Sequence, residues 1–302
     1  MLTRWTIGPV VVLLAVSVGC RNEREAEPTA VASAVAEPPP LVTYDVRIST
    51  QPPHPMPRLD TQVSLRVVSS AGVQPQFDDV VGSPVHLVVV RRDLRWYQHL
   101  HPQRNGDSFT TLVRFPSDGT YVFHSIVDPV GHVQLVTKQD VIVGKAAGHA
   151  PRGLKVSGRE ERRGHYTIRL RCDPEPPAIG EWSSLIFSIA RDGVPVTDLM
   201  PTGTLGHMVI LREGGEDFVY AHSTDGEAMN GVRALAHSPA LPPGLDSHTN
   251  HPHDTGPDVT FHTRFPREGT YKMWVDFLAG SDSIKADFVV KAEKREPPPH
   301  SD

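Results

Sequence analysis

Short runs of alternating apolar and polar residues, separated by turn-forming residues, dominate the sequence after residue 41. The segment Ile168–Cys172 (IRLRC), for example, has an apolar residue at every second position, which is the period of a strand with one buried face. The chain also contains 29 prolines and 24 glycines and few long helical patterns, which is typical of strands joined by tight turns. The sequence therefore predicts an all-β fold.

The strand pattern occurs twice, and the two copies align at constant offsets. His86–Val90 (HLVVV) matches His207–Leu211 (HMVIL) 121 positions later. Arg114–Tyr121 (RFPSDGTY) matches Arg264–Tyr271 (RFPREGTY) at an offset of 150, which places an insertion within residues 223–263. Each copy has the length of about 100 residues that an immunoglobulin-like β-sandwich needs. We therefore predict two tandem sandwiches.

The rest of the chain divides around these two repeats by composition. The predicted segments are a signal peptide at 1–19, a flexible tether at 20–41, the first sandwich at 42–144, a linker at 145–164, the second sandwich at 165–291 with a His-rich insertion at 223–263, and a disordered tail at 292–302. The tether is rich in Ala, Glu and Pro, which suits an extended spacer.

The N-terminus carries an export pattern. One early positive charge at Arg4 precedes an apolar run that is too short to cross a bilayer, and small residues then lead to Cys20. The segment Ser17–Cys20 (SVGC) resembles the lipobox of bacterial lipoproteins, although Ser17 stands where that family usually has Leu. The resemblance implies a signal peptide and lipidation at Cys20, and hence a protein anchored in the bacterial cell envelope, at the periplasmic face or the outer membrane. The alternative is an ordinary cleaved signal peptide with an incidental cysteine.

Charge and cysteine content exclude some functions. The net charge of −5 is small and has the wrong sign for a nucleic-acid partner. If Cys20 is acylated, Cys172 is the remaining thiol, so an intramolecular disulfide cannot form. Cys172 alternates onto the same strand face as Ile168 and Leu170, which predicts a buried thiol in the core.

The chain contains 16 histidines, and a hairpin in the second repeat places two of them opposite each other. The pair Gly214-Gly215 is typical of a two-residue hairpin turn, because both glycines accept positive φ. This turn predicts a register in which Glu213 lies opposite Glu216 and His207 lies opposite His222.

The same spacing in the first repeat separates His86 from His101. In that register Val88 lies opposite His99, so His86, His99 and His101 share one face. Opposed strand residues have Cβ atoms roughly 5 Å apart, which lets two imidazoles reach one ion at metal–nitrogen distances of about 2.0–2.1 Å. His124 and His132 are the candidates for a further ligand from a neighbouring strand.

The insertion adds a dense histidine tract, and such tracts are a compositional sign of metal binding. The complete set of predicted metal ligands is His86, His99, His101, His124, His132, His207, His222, His248, His251, His253 and His262. The alternative interpretation is that these are half-buried or solvated histidines without a ligand role.

The motifs of the first repeat also resemble a known family. His86–Val90, His99–Pro102 and Phe115–Tyr121 (FPSDGTY) are similar to the YtkA-like or FixH-like secreted domains, which are described as cupredoxin-like. The resemblance implies an extracytoplasmic immunoglobulin/cupredoxin-like sandwich and a copper or other transition-metal ligand. A blue-copper centre needs a Cys ligand near the end of the domain, and Cys172 lies in an early strand instead, so thiolate–copper electron transfer is not expected.

Taken together, the sequence predicts an envelope lipoprotein that binds copper or zinc through histidines at hairpin ends, for storage, buffering or delivery. Its predicted partners are the metal ion, the membrane through the lipid anchor, and another envelope protein. The alternative is a non-catalytic β-sandwich interaction module with incidental histidines. We do not predict an enzyme, because the sequence contains neither H-E-x-x-H nor G-x-S-x-G.

Overall fold

The computed structural model describes residues 42–72, 75–77, 83–130, 134–145, 153–200, 204–223 and 258–295. The predicted signal peptide, Cys20, the tether and most of the predicted insertion and tail lie outside these ranges. Residues 42–302 belong to one compact unit. Within the described ranges the secondary structure is all-β, as predicted, and no helix is long and apolar enough to cross a membrane.

Eight strands belong to the first repeat. They are β1 (Tyr44–Gln51), β2 (Asp60–Ser69), β3 (Val85–Arg91), β4 (Tyr97–Leu100), β5 (Gln103–Asn105), β6 (Ser108–Arg114), β7 (Gly119–Val127) and β8 (Leu135–Val143). They form two antiparallel sheets with the orders β1-β2-β6-β5 and β4-β3-β7-β8. Apolar side chains from both sheets, with Phe115 and Phe123 among the largest, form one core.

The second repeat has the same architecture. Its strands are β9 (Glu160–Arg163), β10 (Tyr166–Asp173), β11 (Trp182–Arg191), β12 (Val194–Pro195), β13 (Gly206–Arg212), β14 (Val219–His222), β15 (Val259–Arg264), β16 (Gly269–Ala279) and β17 (Asp282–Ala292). One sheet has the order β12-β11-β10-β9, with β15 also paired to β11, and the other has the order β14-β13-β16-β17. Cys172 is buried in the core between them, as predicted, and burial raises the pKa of its thiol to about 12.

The repeated Phe-Pro-x-x-Gly-Thr-Tyr segment makes the same corner in each sandwich. The buried Tyr121 donates its hydroxyl hydrogen to the carbonyl of Ser117 at 2.9 Å, and Tyr271 donates to the carbonyl of Arg267 at 2.7 Å. A tyrosine bonded back to the backbone four residues upstream is a hallmark of immunoglobulin-like sandwiches. The corner therefore supports the predicted fold in both repeats.

A third apolar cluster lies between the repeats, formed by the outer faces of the β4-β3-β7-β8 and β14-β13-β16-β17 sheets. Its buried members are Val88, Val90, Leu94, Ile126, Val209, Leu211 and Trp274. Because these two sheets are covered on both faces, β3 and β13 are buried along nearly their whole length. The two sandwiches are thus packed against each other by equivalent surfaces, since Val88 and Val90 match Val209 and Leu211 in the repeat alignment.

The cause of this packing can be read in the two strands themselves. The segments HLVVV and HMVIL are continuous apolar runs and do not alternate with polar residues, unlike Ile168–Cys172. A continuous apolar run predicts a strand with two buried faces. Each buried methylene contributes roughly 0.8 kcal/mol to the free energy of burial, so an outer face with these side chains is stabilised by a cover.

Candidate metal centre

The hairpins β3–β4 and β13–β14 place the histidines in the predicted register. His207 is paired with His222, and Val88 is paired with His99. The tip of the second hairpin differs from the predicted two-residue turn. There the Gly215 amide donates to the Arg212 carbonyl and the Arg212 amide donates to the Glu216 carbonyl, so Glu213 is not the partner of Glu216. The extra residue is absorbed at the tip, where Asp217 has positive φ, and the ladder below it keeps the predicted register.

The open ends of the two hairpins meet at one end of the interface between the repeats. The ring centroid of His86 lies 5.2 Å from that of His99, 5.6 Å from that of His207 and 6.2 Å from that of His222. His101 is 4.8 Å from His86 and 5.7 Å from His207. The five rings form a single group, which we call the histidine centre: His86, His99, His101, His207 and His222. Each repeat contributes part of it.

Several ring nitrogens in the histidine centre lie close enough to share an ion. His86 Nδ1 and His99 Nε2 are 3.1 Å apart, and one nitrogen each from His86, His101 and His207 lies within 4.8 Å of the others. Two ligands of one tetrahedral ion at bond lengths of about 2.0–2.1 Å are separated by about 3.3 Å. The His86–His99 pair is at about this separation already.

Tyr220 occupies the position in the second repeat that His99 occupies in the first, 121 residues earlier. Its hydroxyl lies 3.1 Å from His86 Nδ1 and 3.4 Å from His99 Nε2. Burial raises the pKa of the phenol well above its usual value, and the charges of Asp128 and Asp276 raise it further. At neutral pH Tyr220 is therefore a neutral hydroxyl directed at the imidazoles.

A carboxylate from the second repeat lies behind one of the imidazoles. Asp276 Oδ2 is 3.4 Å from His99 Nδ1 and accepts a 2.7 Å hydrogen bond from the hydroxyl of Tyr97, whose ring is stacked on Trp274. Lys285 Nζ lies 3.6 Å from the other carboxylate oxygen. Burial opposes ionisation of Asp276, but the His99 hydrogen bond and the Lys285 charge hold its pKa below the usual value. Asp276 is thus a largely buried anion, 14% exposed, at the rim of the histidine centre.

Burial also keeps four of these imidazoles neutral, those of His86, His101, His207 and His222. It lowers the pKa of His86 and His207 well below the usual value, and the neighbouring rings lower it further. For the same reasons the pKa of His101 and of His222 is lowered to about 4. A neutral imidazole has one nitrogen lone pair free, which is the form that binds a metal ion. The environment therefore favours ligand-competent rings at neutral pH.

Two predicted ligands lie elsewhere in the structure. His124 is buried on β7, where its ring is stacked at 4.1 Å on Phe218 of the other repeat, and its Nε2 has no hydrogen-bond partner. His262 lies in β15, in the outer sheet of the second sandwich, and its Nδ1 is 3.1 Å from Ser184 Oγ. His132, His248, His251 and His253 lie outside the described residues.

Three residues of the site were not predicted from the sequence: Tyr97, Tyr220 and Asp276. Tyr220 could have been found by extending the repeat alignment to the position of His99. Asp276 aligns with Ile126 at the offset of 150, so it is a charged residue in a strand position that the other repeat fills with an apolar side chain. A charge at such a position indicates a specific partner, because a buried carboxylate is costly without one.

Comparison with known proteins identifies a family. The family model described as "Domain of unknown function (DUF8832)" matches residues 42–142 and 161–294. No curated protein matches the chain. Among solved structures, the Escherichia coli adhesin FdeC is similar at 14% identity and a TM-score of 0.23, with 82% of this chain and 64% of that chain covered. The chain therefore spans 64% of the length of that structure.

Two further solved structures have a similar level of likeness. A two-domain fibronectin type III segment from chicken tenascin shares 12% identity at a TM-score of 0.22, with 82% of this chain and 97% of that chain covered. The D00-D0 domain of intimin shares 12% identity at a TM-score of 0.21, with 82% and 100% covered.

Proposed function

The chain belongs to the DUF8832 family, a domain of unknown function, and we propose that it binds one divalent transition-metal ion, copper or zinc, in the histidine centre shared by its two repeats. The observation that carries the proposal is the convergence of five imidazoles from two separate hairpins, of which His86 and His207 are buried and the other three are partly buried. Without a ligand these groups lose part of their hydration, and a shared ion compensates that cost.

The donor types favour a divalent ion. The described residues of the centre offer imidazole nitrogens and one phenol oxygen, and these suit Zn(II) and Cu(II), whereas Cu(I) prefers thiolate and thioether ligands. Met208, the methionine nearest in sequence to His207, is fully buried in the core of the second sandwich. The resemblance to YtkA-like and FixH-like domains makes copper the first ion to test.

The cellular part of the proposal rests on the sequence of the N-terminus. Lipidation at Cys20 would hold the two sandwiches at a membrane surface in the bacterial envelope, with residues 20–41 as the spacer. A protein in that position would store or buffer the ion, or deliver it to another envelope protein. No catalytic step is proposed.

The direct test is metal analysis of the purified full chain. After removal of metal by a chelator, the protein is titrated with Zn(II) and with Cu(II) in competition with a chromophoric chelator. The proposal expects one ion per chain at sub-micromolar affinity. A His54→Ala/His165→Ala control, which lacks two exposed histidines outside the centre, should bind as tightly as the wild type. Absence of sub-micromolar binding by the wild type, or its loss in this control, would reject the proposal and leave the non-catalytic interaction module as the better interpretation.

A further inference from the structure

The contacts around His99 extend beyond the imidazoles to a chain of three side chains that crosses the interface. Tyr97 and His99 belong to β4 of the first repeat, whereas Asp276 belongs to β16 of the second. The Tyr97 hydroxyl donates to Asp276 Oδ2 at 2.7 Å, and the same oxygen lies 3.4 Å from His99 Nδ1. The side chains of His99 and Asp276 are 4% and 14% exposed, so water competes little for these contacts.

This arrangement defines which nitrogen of His99 is protonated. An ionised carboxylate only accepts hydrogen bonds, so the nitrogen that faces Asp276 must carry the proton. The proton on Nδ1 leaves the lone pair on Nε2, and Nε2 is the atom that lies 3.1 Å from His86 Nδ1 and 3.4 Å from the Tyr220 hydroxyl. The lone pair therefore points into the histidine centre.

We propose that Asp276 is the positioning residue of the metal centre: it holds His99 with its proton on Nδ1, so that Nε2 is a ligand, and Tyr97 holds the carboxylate in place. The inference rests on the proposed metal function. It assigns a role to Asp276 that the spacing of the histidines does not indicate. A carboxylate or backbone acceptor behind a ligating imidazole fixes its orientation and raises its basicity, and loss of such a partner typically weakens metal binding about 10- to 100-fold.

The asymmetry of the two repeats supports this role. The strand position of Asp276 is occupied by Ile126 in the first repeat, where it faces His86. In the second repeat Asp276 faces His207 along the ladder, yet its carboxylate reaches across to the first repeat's His99. A carboxylate that merely balanced charge on the surface would not be buried between two sandwiches with its oxygen shared by two partners from the opposite repeat.

The first experiment measures the tautomer directly, without metal. Long-range ¹H–¹⁵N correlation spectra of the full chain should show His99 as a single tautomer with the proton on Nδ1, and Asp276→Asn should convert it to the other tautomer or to a mixture. A wild-type His99 protonated on Nε2 would overturn the proposal, whatever the metal affinity.

The second experiment measures binding of Zn(II) and Cu(II) alone by chelator competition. Asp276→Asn should weaken binding about 10- to 100-fold, with a changed Cu(II) electron paramagnetic resonance spectrum. The matched control is Asp282→Asn, because Asp282 also accepts a 2.7 Å hydrogen bond from a tyrosine, Tyr166, outside the centre. Unchanged binding by a folded Asp276→Asn protein, or an equal loss in the control, would overturn the proposal.

A third variant keeps the test valid if Asp276→Asn does not fold. Tyr97→Phe retains the ring stacked on Trp274 and removes the hydroxyl that holds the carboxylate. We expect binding to weaken about fivefold, the equivalent of one hydrogen bond. Unchanged metal affinity in Tyr97→Phe would overturn the role of Tyr97. If Asp276→Asn does not fold, the same result would overturn the whole proposal. If the wild-type chain binds no metal but His99 has the Nδ1 tautomer, the proposed function fails and the positioning of His99 by Asp276 stands as a structural contact.

Discussion

The two inner hairpins occupy equivalent positions in the two repeats but contribute different groups to the histidine centre. The β3–β4 hairpin supplies three imidazoles, from His86, His99 and His101. The β13–β14 hairpin supplies two, and Tyr220 stands where a third would be. A pair of identical half-sites would suit one ion in each repeat. The unequal halves and the short distances across the interface favour one ion held by both.

The same inequality continues along the interface away from the centre. Tyr97 is stacked on Trp274 with ring centroids 4.9 Å apart, and the equivalent pair is Phe218 on His124 at 4.1 Å. The Tyr97 side has a hydroxyl that bonds to Asp276, while Phe218 has none. The hydrogen-bonded group of Tyr97, Asp276 and His99 therefore has no counterpart at the Phe218–His124 stack. Equivalent substitutions on the two sides should therefore have unequal effects.

The largest expected effect comes from removal of the histidines of one repeat. His86→Ala/His101→Ala and His207→Ala/His222→Ala should each lower the affinity of the whole chain at least about 100-fold, because the proposed site takes its ligands from both repeats and ligand loss costs more than loss of a supporting residue. Metal content and affinity of the full-length variants check this. Retention of half the metal by each double variant would show two independent sites.

Acid should destabilise the metal-free protein because of the buried imidazoles. In the unfolded chain a histidine binds its proton as the pH falls through about 6.5, whereas folded His222 and His101 stay neutral until a pKa of about 4. The unfolded state then binds more protons, so stability falls between pH 6.5 and pH 4, by about 3 kcal/mol for His222 alone. Denaturant titrations at pH 7.5 and pH 5 measure the loss. Equal stability at the two pH values would contradict the neutral, buried state of these rings.

The apolar part of the interface is tested by Leu211→Ala. Leu211 is 1% exposed in the cluster between the repeats, and truncation of a buried leucine costs about 2–5 kcal/mol of unfolding free energy. The matched control is Leu112→Ala, because Leu112 is 62% exposed and its loss should change stability by less than about 0.5 kcal/mol. A similar small effect for both variants in urea denaturation would mean that the sandwiches are not packed against each other in solution.

Equivalent positions can also be compared directly with one substitution. His99→Phe removes a proposed ligand and should weaken metal binding at least about 100-fold, whereas Tyr220→Phe removes one hydroxyl contact and should weaken it about fivefold. Chelator competition on the two full-length variants gives the ratio. Equal losses of metal affinity in the two variants would mean that the Tyr220 oxygen contributes as much to metal binding as His99 Nε2.

The smallest effect is expected at His124. Its Nε2 is buried without a hydrogen-bond partner and burial lowers its pKa to about 4, while the equivalent residue of the second repeat is Trp274. His124→Phe should keep the stack on Phe218, leave metal affinity unchanged and stabilise the fold by about 1 kcal/mol. A loss of metal binding in this variant would restore His124 to the ligand set.

Much of the fold and part of the site followed from local sequence patterns. Strand alternation and the two repeat offsets predicted the tandem sandwiches, and strand pairing predicted which histidines oppose each other in each hairpin. These features depend on the period of a strand and on turn chemistry, which act over a few residues. The turn predicted at the tip of the second hairpin was wrong by one residue. A bulge there can absorb the extra residue without altering the strand pairing below it.

The two hairpins and the facing pair His207 and His222 follow from the amino-acid pattern alone, since register is a property of neighbouring strands. The pattern does not show that the open ends meet, that Tyr220 joins them, or that Asp276 reaches His99 from the other repeat. Those contacts depend on how the outer faces of two sheets pack, and this packing joins residues up to 179 positions apart. The continuous apolar runs in β3 and β13 indicated that a second face is buried, but a run of apolar side chains does not specify its partner, because apolar burial is non-directional.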